Sequence, residues 1–161
     1  MGFYQNVGVL VLGTRLKRLS DRFLSEITVV YKKLGIQFEP SWFPIMYLLR
    51  EHDELLITEI AAELEITHSA VSQLVAVLQK KKIINTIPDQ SDRRKRIVRL
   101  SEAGEEMLNS LSGVWDAMEY SLNELFESGA HLPKLLPGLA ELENELEQTP
   151  LSKEILKKLN K

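Results

Sequence analysis

The sequence predicts a mainly α-helical fold with a small β-sheet of two or three strands. Apolar residues recur at helical spacings of three and four in two adjacent segments: Ile60, Ala61 and Leu64, then Val71, Leu74, Val75 and Leu78. Two β-branched runs follow at residues 83–87 and 96–100, separated by the turn-rich, basic segment 88–95. Helix, turn, helix and a hairpin with a cationic tip form the layout of a winged helix-turn-helix. That layout places one helix in the DNA major groove and a wing beside it.

The composition limits the class of protein. A chain of 161 residues with 44% hydrophobic residues is long enough for one domain with a buried core. The sequence has neither a membrane-length apolar run nor a signal peptide, so we expect a cytoplasmic protein with no membrane partner. Because cysteine is absent, disulfides, thiolate metal sites and thiol redox sensing are excluded.

Charge is strongly segregated along the chain, although the formal net charge is only -3. Residues 79–100 carry a net charge of +6, whereas residues 101–150 carry -10. A local basic surface of this kind suits phosphate contacts, and the acidic remainder limits non-specific binding to polyanions.

The chain divides into three predicted regions. Residues 1–50 would form the N-terminal helices, which are a dimerisation arm and the start of the core. Residues 51–101 would form the winged helix-turn-helix, and residues 102–161 a C-terminal helical dimerisation arm. Apolar stripes in both arms extend beyond what so small a core can cover, so two copies would pack their terminal helices into one shared bundle. A two-fold homodimer is therefore expected.

Helix boundaries follow from local signals. The first long helix should run from about Val7 to Leu34, where Gly35 ends it, and a second should start near Pro40 or Ser41. Predicted N-caps for the following helices are Thr58, then Thr67 or His68, then Ser101. The helix after Ser101 should reach about Phe126, and two short helices should follow at 139–147 and 151–159.

Polar residues on the fourth helix are the candidates for reading bases. The apolar set of this helix faces inward, so small polar side chains occupy the other face near its N-terminal half: Thr67, His68, Ser69, Ser72 and Gln73, with Ala76 beside them. Glutamine bonds adenine in a bidentate way, and short hydroxyl side chains approach bases and phosphates closely. Thr67 and Ser69 are equally well explained as caps, whereas Ser72 and Gln73 are not.

The hairpin tip is the second candidate surface. Its basic side chains are Arg93, Arg94, Lys95 and Arg96, with Arg99 further along the strand. Alternation predicts that Arg94 and Arg96 share one face of the strand, opposite Ile97. Asp92 precedes Arg94 by two residues and should accept hydrogen bonds from its guanidinium, which would extend toward a minor groove. The alternative is a solvated charge run with no partner.

These segments resemble the MarR family of bacterial transcription regulators. The resemblance is carried by residues 57–64, 69–75, 78–84, 89–94 and 98–104, including Asp-Arg-Arg at 92–94 and Leu-Ser-x-x-Gly at 100–104. It implies that Arg94 enters the minor groove, that Asp92 braces it, and that Ser69, Ser72 and Gln73 read the major groove. The sequence departs from the family at two positions. Lys82 replaces a glycine, so it must adopt a positive φ or the helix must end differently, and Thr86 replaces a basic residue.

A small aromatic or phenolic ligand is a second expectation from the resemblance. Aromatic residues that could line its crevice are Phe38, Trp42, Phe43, Tyr47 and Trp115, although each is equally consistent with a core position. Bound ligand would favour a spacing of the recognition helices that no longer matches successive major grooves, about 34 Å apart.

Other chemistry is not favoured by the sequence. A phosphate-binding glycine loop and a paired-histidine metal motif are absent, and the three histidines are scattered, so no catalytic residue, cofactor or metal site is predicted. Residues 51–54, Glu-His-Asp-Glu, are better explained as a solvated loop between helices than as a metal site. The competing hypothesis is a helical protein-interaction or RNA-binding module that uses the basic hairpin for an acidic protein or RNA.

Overall fold

A computed structural model describes residues 2–160, which contain eight α-helices and three β-strands. The helices are α1 (Phe3–Val7), α2 (Leu12–Lys33), α3 (Phe43–Glu51), α4 (Ile57–Glu63), α5 (His68–Lys80), α6 (Glu102–Ser128), α7 (Leu135–Gln148) and α8 (Leu151–Leu159). The strands are β1 (Glu54–Leu56), β2 (Ile84–Pro88) and β3 (Arg96–Leu100). The predicted fold class, mainly helical with a two- to three-stranded wing, is confirmed.

The N-terminal helix is interrupted, which the sequence did not reveal. The short helix α1 passes into a 3-10 turn at Gly8–Val11, and α2 begins only at Leu12, not near Val7 as predicted. Gly8 has a φ of +69°, which cannot continue an α-helix. The predicted stop at Gly35 is correct, because Gly35 has a φ of +70° and the next amide, Ile36 N–H, donates to the Tyr31 carbonyl.

Strand β1 is the second difference from the sequence-based prediction. The loop expected at residues 51–54 contains the start of a strand, because Glu54 pairs with Arg99 and Leu56 pairs with Ile97. The sheet has the order β1-β3-β2 with both pairs antiparallel. A three-residue strand carries almost no local signal, and its partner lies far along the chain. The sheet therefore has three strands, the upper limit of the prediction.

The chain forms two compact units, one ending at Leu111 and the other beginning at Ser112. Buried residues of the first unit come from the end of α2, from α3, α4, α5, β2 and β3, from the first half of α6 and from connecting segments: Tyr31, Phe38, Trp42, Ile45, Met46, Leu49, Ile57, Ile60, Val71, Val75, Leu78, Ile83, Ile84, Val98 and Leu111. Tyr31, Phe38 and Trp42 form an edge-to-face series, with ring centroids 5.1 and 5.7 Å apart. This core fixes α5 and the sheet relative to each other.

The second unit contains the remainder of α6 together with α7 and α8. Helix α6 ends at Ser128, close to the predicted Phe126, while α7 begins at Leu135, earlier than the predicted residue 139. Helix α8 matches its predicted range. Large apolar side chains of this unit are exposed: Leu125, Leu135, Leu136, Leu146, Leu151, Ile155, Leu156 and Leu159. Within residues 2–160, no helix is both long and apolar enough to span a bilayer.

Candidate nucleic-acid interface

Helices α4 and α5 form the helix-turn-helix, and the turn between them is built from two capping arrangements. Helix α4 ends in a Schellman motif, in which Ile66 N–H donates to the Ala61 carbonyl at 3.1 Å and Glu65 adopts a φ of +53°. Helix α5 then begins with Thr67 as N-cap, whose Oγ1 accepts from Ala70 N–H at 3.2 Å. The predicted Thr67 cap is confirmed.

The predicted Thr58 cap of α4 is wrong. The N-cap position is Leu56, and its backbone N–H donates to Glu59 Oε2 at 2.7 Å. Thr58 lies inside the first turn of the helix. Glu59 at the third helical position satisfies the amide that an N-terminal helix residue leaves unpaired, so a hydroxyl cap is not needed.

The candidate base-reading residues lie together on the solvent-facing side of α5. Val71, Val75 and Leu78 are buried, as predicted, and the polar residues lie on the other side: Thr67, His68, Ser69 and Gln73 are exposed, and Ser72 is half-buried. Ser72 Oγ lies 3.4 Å from His68 Nδ1 one turn earlier. The N-terminal half of α5 therefore presents hydroxyl, imidazole and amide groups, which form hydrogen bonds with base edges and phosphates.

The wing is the β2–β3 hairpin, whose register runs from Ile84 opposite Leu100 to Pro88 opposite Arg96. Its tip is organised by two aspartates. Asp89 accepts hydrogen bonds from Ser91 N–H at 3.1 Å and from Ser91 Oγ at 2.7 Å. Lys95 N–H donates to the Asp92 carbonyl at 2.8 Å and closes the turn. These short-range bonds fix the tip without help from a buried core.

Asp92 holds Arg94 in a defined orientation. Asp92 Oδ1 accepts from Arg94 Nε at 3.0 Å, Oδ2 accepts from Nη2 at 3.1 Å, and Oδ1 also accepts from the Arg94 backbone N–H at 3.1 Å. The Arg94 side chain is 91% exposed. These bonds lower the pKa of the Asp92 carboxyl and raise the pKa of the Arg94 guanidinium. The bidentate pair leaves the rest of the guanidinium directed to solvent.

The other basic residues of the wing are exposed, and Arg94 does not lie where alternation predicted it. Strand β3 begins at Arg96, so Arg94 belongs to the tip and shares no strand face with Arg96. Arg93, Lys95 and Arg96 take part in none of the ion pairs found among residues 2–160. Hydrogen bonds within the tip lower the pKa of the nearby Asp89 and Asp92 carboxyls, and the charge of Lys95 lowers both further. Arg93 and Arg96, in contrast, are exposed cations outside these ion pairs.

The two departures from the family pattern have clear structural outcomes. Lys82 follows α5 with a φ of +61°, so the chain takes the positive-φ option and keeps the helix end that a glycine normally forms. Thr86 Oγ1 donates to Gln79 Oε1 at 3.3 Å, which connects β2, the first strand of the wing, to the end of α5. Thr86 thus makes an internal contact at the position where the family carries a charge.

The predicted aromatic pocket residues differ in exposure and surroundings. Phe38 and Trp42 are buried in the core of the first unit, and Phe43 packs on the half-exposed Tyr47 with centroids 5.4 Å apart. Trp115 is buried in the second unit. A cavity of about 260 Å³ beside the wing has another lining: Glu54, Leu56, Glu59, Asp89 and Ile97. Ligand binding by the aromatic residues stays a prediction.

Ser101 and Gly104, at the start of α6, were not predicted as functional residues. Ser101 was predicted only as an N-cap, and that prediction is correct because its Oγ accepts from Gly104 N–H at 3.1 Å. The same Oγ also donates to the carbonyl of Lys82, which follows α5. The available signal in the sequence was their spacing, a serine and a glycine three residues apart at the start of a helix.

Among residues 2–160, no cluster of three or more His, Asp or Glu side chains has the arrangement of a metal site.

Comparisons with known proteins, by sequence and by structure, find similarity to transcription regulators. Residues 36–95 match the model of the MarR family. The HTH-type transcriptional repressor IacR of Pseudomonas putida is 24% identical over 128 residues, which cover 72% of this chain and 75% of IacR. The S. aureus MepR–DNA complex superposes with a TM-score of 0.70 at 20% identity, and the match covers 84% of this chain and 97% of that one. The repressor CouR, solved on a 23-mer DNA duplex, has a TM-score of 0.67, 26% identity, and coverage of 82% and 92%.

Proposed function

We propose that the chain is a MarR-type winged helix-turn-helix protein and a sequence-specific, DNA-binding transcription regulator, which the family match over residues 36–95 and the similarity to a curated repressor support. It acts as a homodimeric repressor on a pseudo-palindromic operator, and a small aromatic ligand relieves repression. The observation that carries the proposal is the pairing of an exposed polar helix face with a cationic wing in one compact unit. The proposal includes no catalytic step. It places the protein in the cytoplasm, together with the chromosomal DNA that it binds.

The two surfaces supply complementary parts of DNA recognition. The N-terminal half of α5 carries neutral groups that distinguish bases in the major groove. Arg94, held by Asp92, presents a guanidinium to the negative potential of the adjacent minor groove, and its orientation is set before binding. A side chain that is already ordered loses less conformational entropy when it binds.

The dimer is supported by large apolar side chains that the chain itself covers only in part. Helix α2 exposes a series of large apolar side chains: Leu12, Leu16, Leu19, Phe23, Leu24, Val29 and Val30. The last helix, α8, does the same. Monomeric proteins rarely expose contiguous apolar surface of this extent, so a second copy is the expected cover.

A salt titration on duplex DNA tests the proposal. The probe is a duplex enriched by the full-length chain from a random library, and affinity is measured by fluorescence anisotropy between about 50 and 200 mM salt. Each neutralised phosphate contributes about -0.9 to the slope of log affinity against log salt, so several contacts give a steep decline. A flat line, or equal affinity for single-stranded RNA of the same length, would contradict duplex recognition.

Arg94→Ala sharpens the same experiment. Removal of one guanidinium should weaken binding to every sequence and make the slope shallower by about 0.9 if Arg94 neutralises one phosphate. Arg94→Lys is the matched control, since it keeps the charge but cannot form the bidentate pair with Asp92. Unchanged affinity in Arg94→Ala would remove the wing from the mechanism.

A further inference from the structure

Helix α5 is attached to helix α6 by a small joint that we define as Lys82, Ile83, Ser101 and Gly104. Ser101 Oγ lies 2.5 Å from the Lys82 carbonyl oxygen and 3.0 Å from the Ile83 carbonyl oxygen, so its hydrogen is shared between them. Ser101 N–H also donates to the Ile83 carbonyl at 3.0 Å. Ser101, at the start of α6, therefore donates hydrogen bonds to two successive carbonyl groups of the segment that follows α5.

Gly104 makes this close approach possible. A Cβ atom at this position would overlap the Ile83 carbonyl oxygen and lie 3.1 Å from the Ile83 carbonyl carbon. Gly104 N–H donates back to Ser101 Oγ at 3.1 Å, and the glycine is buried. The first turn of α6 therefore packs directly on the backbone at Ile83, where any other residue would force the two apart.

The α5 side of the joint is equally well fixed. Ile83 N–H donates to the Leu78 carbonyl at 3.0 Å and Lys82 N–H to the Gln79 carbonyl at 2.9 Å, which completes a Schellman motif. Both Leu78 and Ile83 are buried. A rotation of α6 at its first turn without a matching movement of α5 would break these hydrogen bonds.

We propose that Ser101 and Gly104 are positioning residues for DNA binding, which couple the orientation of α6 to that of the recognition helix α5. The inference rests on the proposed function as a dimeric DNA-binding regulator. In a dimer held together by the C-terminal arm that begins with α6, the angle between α6 and α5 fixes the position of each recognition helix. The joint thereby sets the spacing between the two recognition helices of a dimer.

Distance measurement between the two copies of α5 tests the joint without DNA. The chain has no cysteine, so Val77→Cys, at an exposed site on α5, carries the only spin label. We expect a narrow distance distribution with Ser101, a broader one with Ser101→Ala, and a narrow one again with Ser101→Thr, which keeps the hydroxyl. An unchanged distribution in Ser101→Ala, or the absence of any inter-copy distance in the parent, would overturn the inference.

Spacing preference on DNA is the second readout. The probe is the duplex enriched by the wild-type chain, together with versions that have one base pair inserted or deleted between the half-sites. Loss of the hydroxyl, which donates to the Lys82 and Ile83 carbonyls and accepts from Gly104 N–H, should reduce the preference of Ser101→Ala for the original spacing by up to about tenfold. Base preference inside each half-site should stay the same. Ser101→Thr should restore the preference.

The outcomes separate this inference from the proposed function. If Ser101→Ala binds with wild-type spacing preference, the coupling is wrong and the function stands. If the wild-type chain enriches no duplex, both are overturned. A general loss of stability would lower affinity for all spacings equally, so it would not reproduce the expected change in preference, and such a result would also count against coupling.

Discussion

The wing tip and the recognition helix are held in place by different means. At the tip, the bonds join residues two apart in sequence, Asp89 to Ser91 and Asp92 to Arg94, and the side chain of Arg94 lies in solvent. Helix α5 is instead positioned by its buried face, including Val71, which packs into the core of the first unit. The tip is therefore encoded locally and electrostatically, whereas the helix depends on the whole core.

The largest expected effect separates the two faces of α5. Val71→Ala removes a fully buried side chain and should lower the free energy of unfolding by about 2 to 3 kcal/mol, through lost burial and the cavity left behind. Val77→Ala is the matched control, because the same change on the same helix removes a side chain that is 44% exposed. Urea denaturation measures both, and equal losses would show that the buried face does not position α5.

A second prediction concerns the exposed face. Gln73→Ala should cost roughly 1 to 3 kcal/mol of binding at one base position in each half-site and relax the preference there, without a change in unfolding. Gln79→Ala is the control, since that glutamine contacts Thr86 within the protein. Affinities for single-base variants of the enriched duplex provide the measurement. Uniform weakening across all variants would make Gln73 a phosphate contact.

The third prediction concerns the helix end that the family builds from glycine. Lys82 has a φ of +61°, a conformation that a side chain disfavours, so Lys82→Gly should raise the free energy of unfolding by about 1 kcal/mol. Lys80→Gly tests the opposite case, because Lys80 is helical and glycine there should cost roughly 0.5 to 1 kcal/mol. A stabilisation by both substitutions would point to an effect of charge and not of φ.

Much of this arrangement was predictable because its signals are local. The caps Thr67 and Ser101, the strand at residues 96–100 and the inward face of α5 all follow from residue type and spacing within one element. The bond between Asp92 and Arg94 was predictable for the same reason, as it spans only two residues.

What the sequence did not reveal depends on distant partners. Strand β1 exists because Glu54 meets Arg99, and Gly104 is required because α6 packs on the carbonyl of Ile83. The cap of α4 was mispredicted at Thr58 because a carboxylate from within the helix, Glu59, bonds the first amide instead. In each case the deciding atom lies outside the window in which propensity and periodicity operate.

The smallest expected effect is the pH dependence of the wing tip. Hydrogen bonds from the Arg94 side chain and backbone hold the pKa of Asp92 below its ordinary value of 3.8. A lowered folded-state pKa means that the stabilisation is fully present above the ordinary value and is lost as pH falls through the folded value. We therefore expect this pair to remain ionised and to contribute no pH dependence to DNA affinity between about pH 5 and pH 8. Carboxyl NMR titration measures the pKa, with Asp92→Asn as the variant that lacks the charge at every pH. A loss of affinity near neutral pH that Asp92→Asn abolishes would contradict this assignment, because it would require a carboxyl whose pKa is raised.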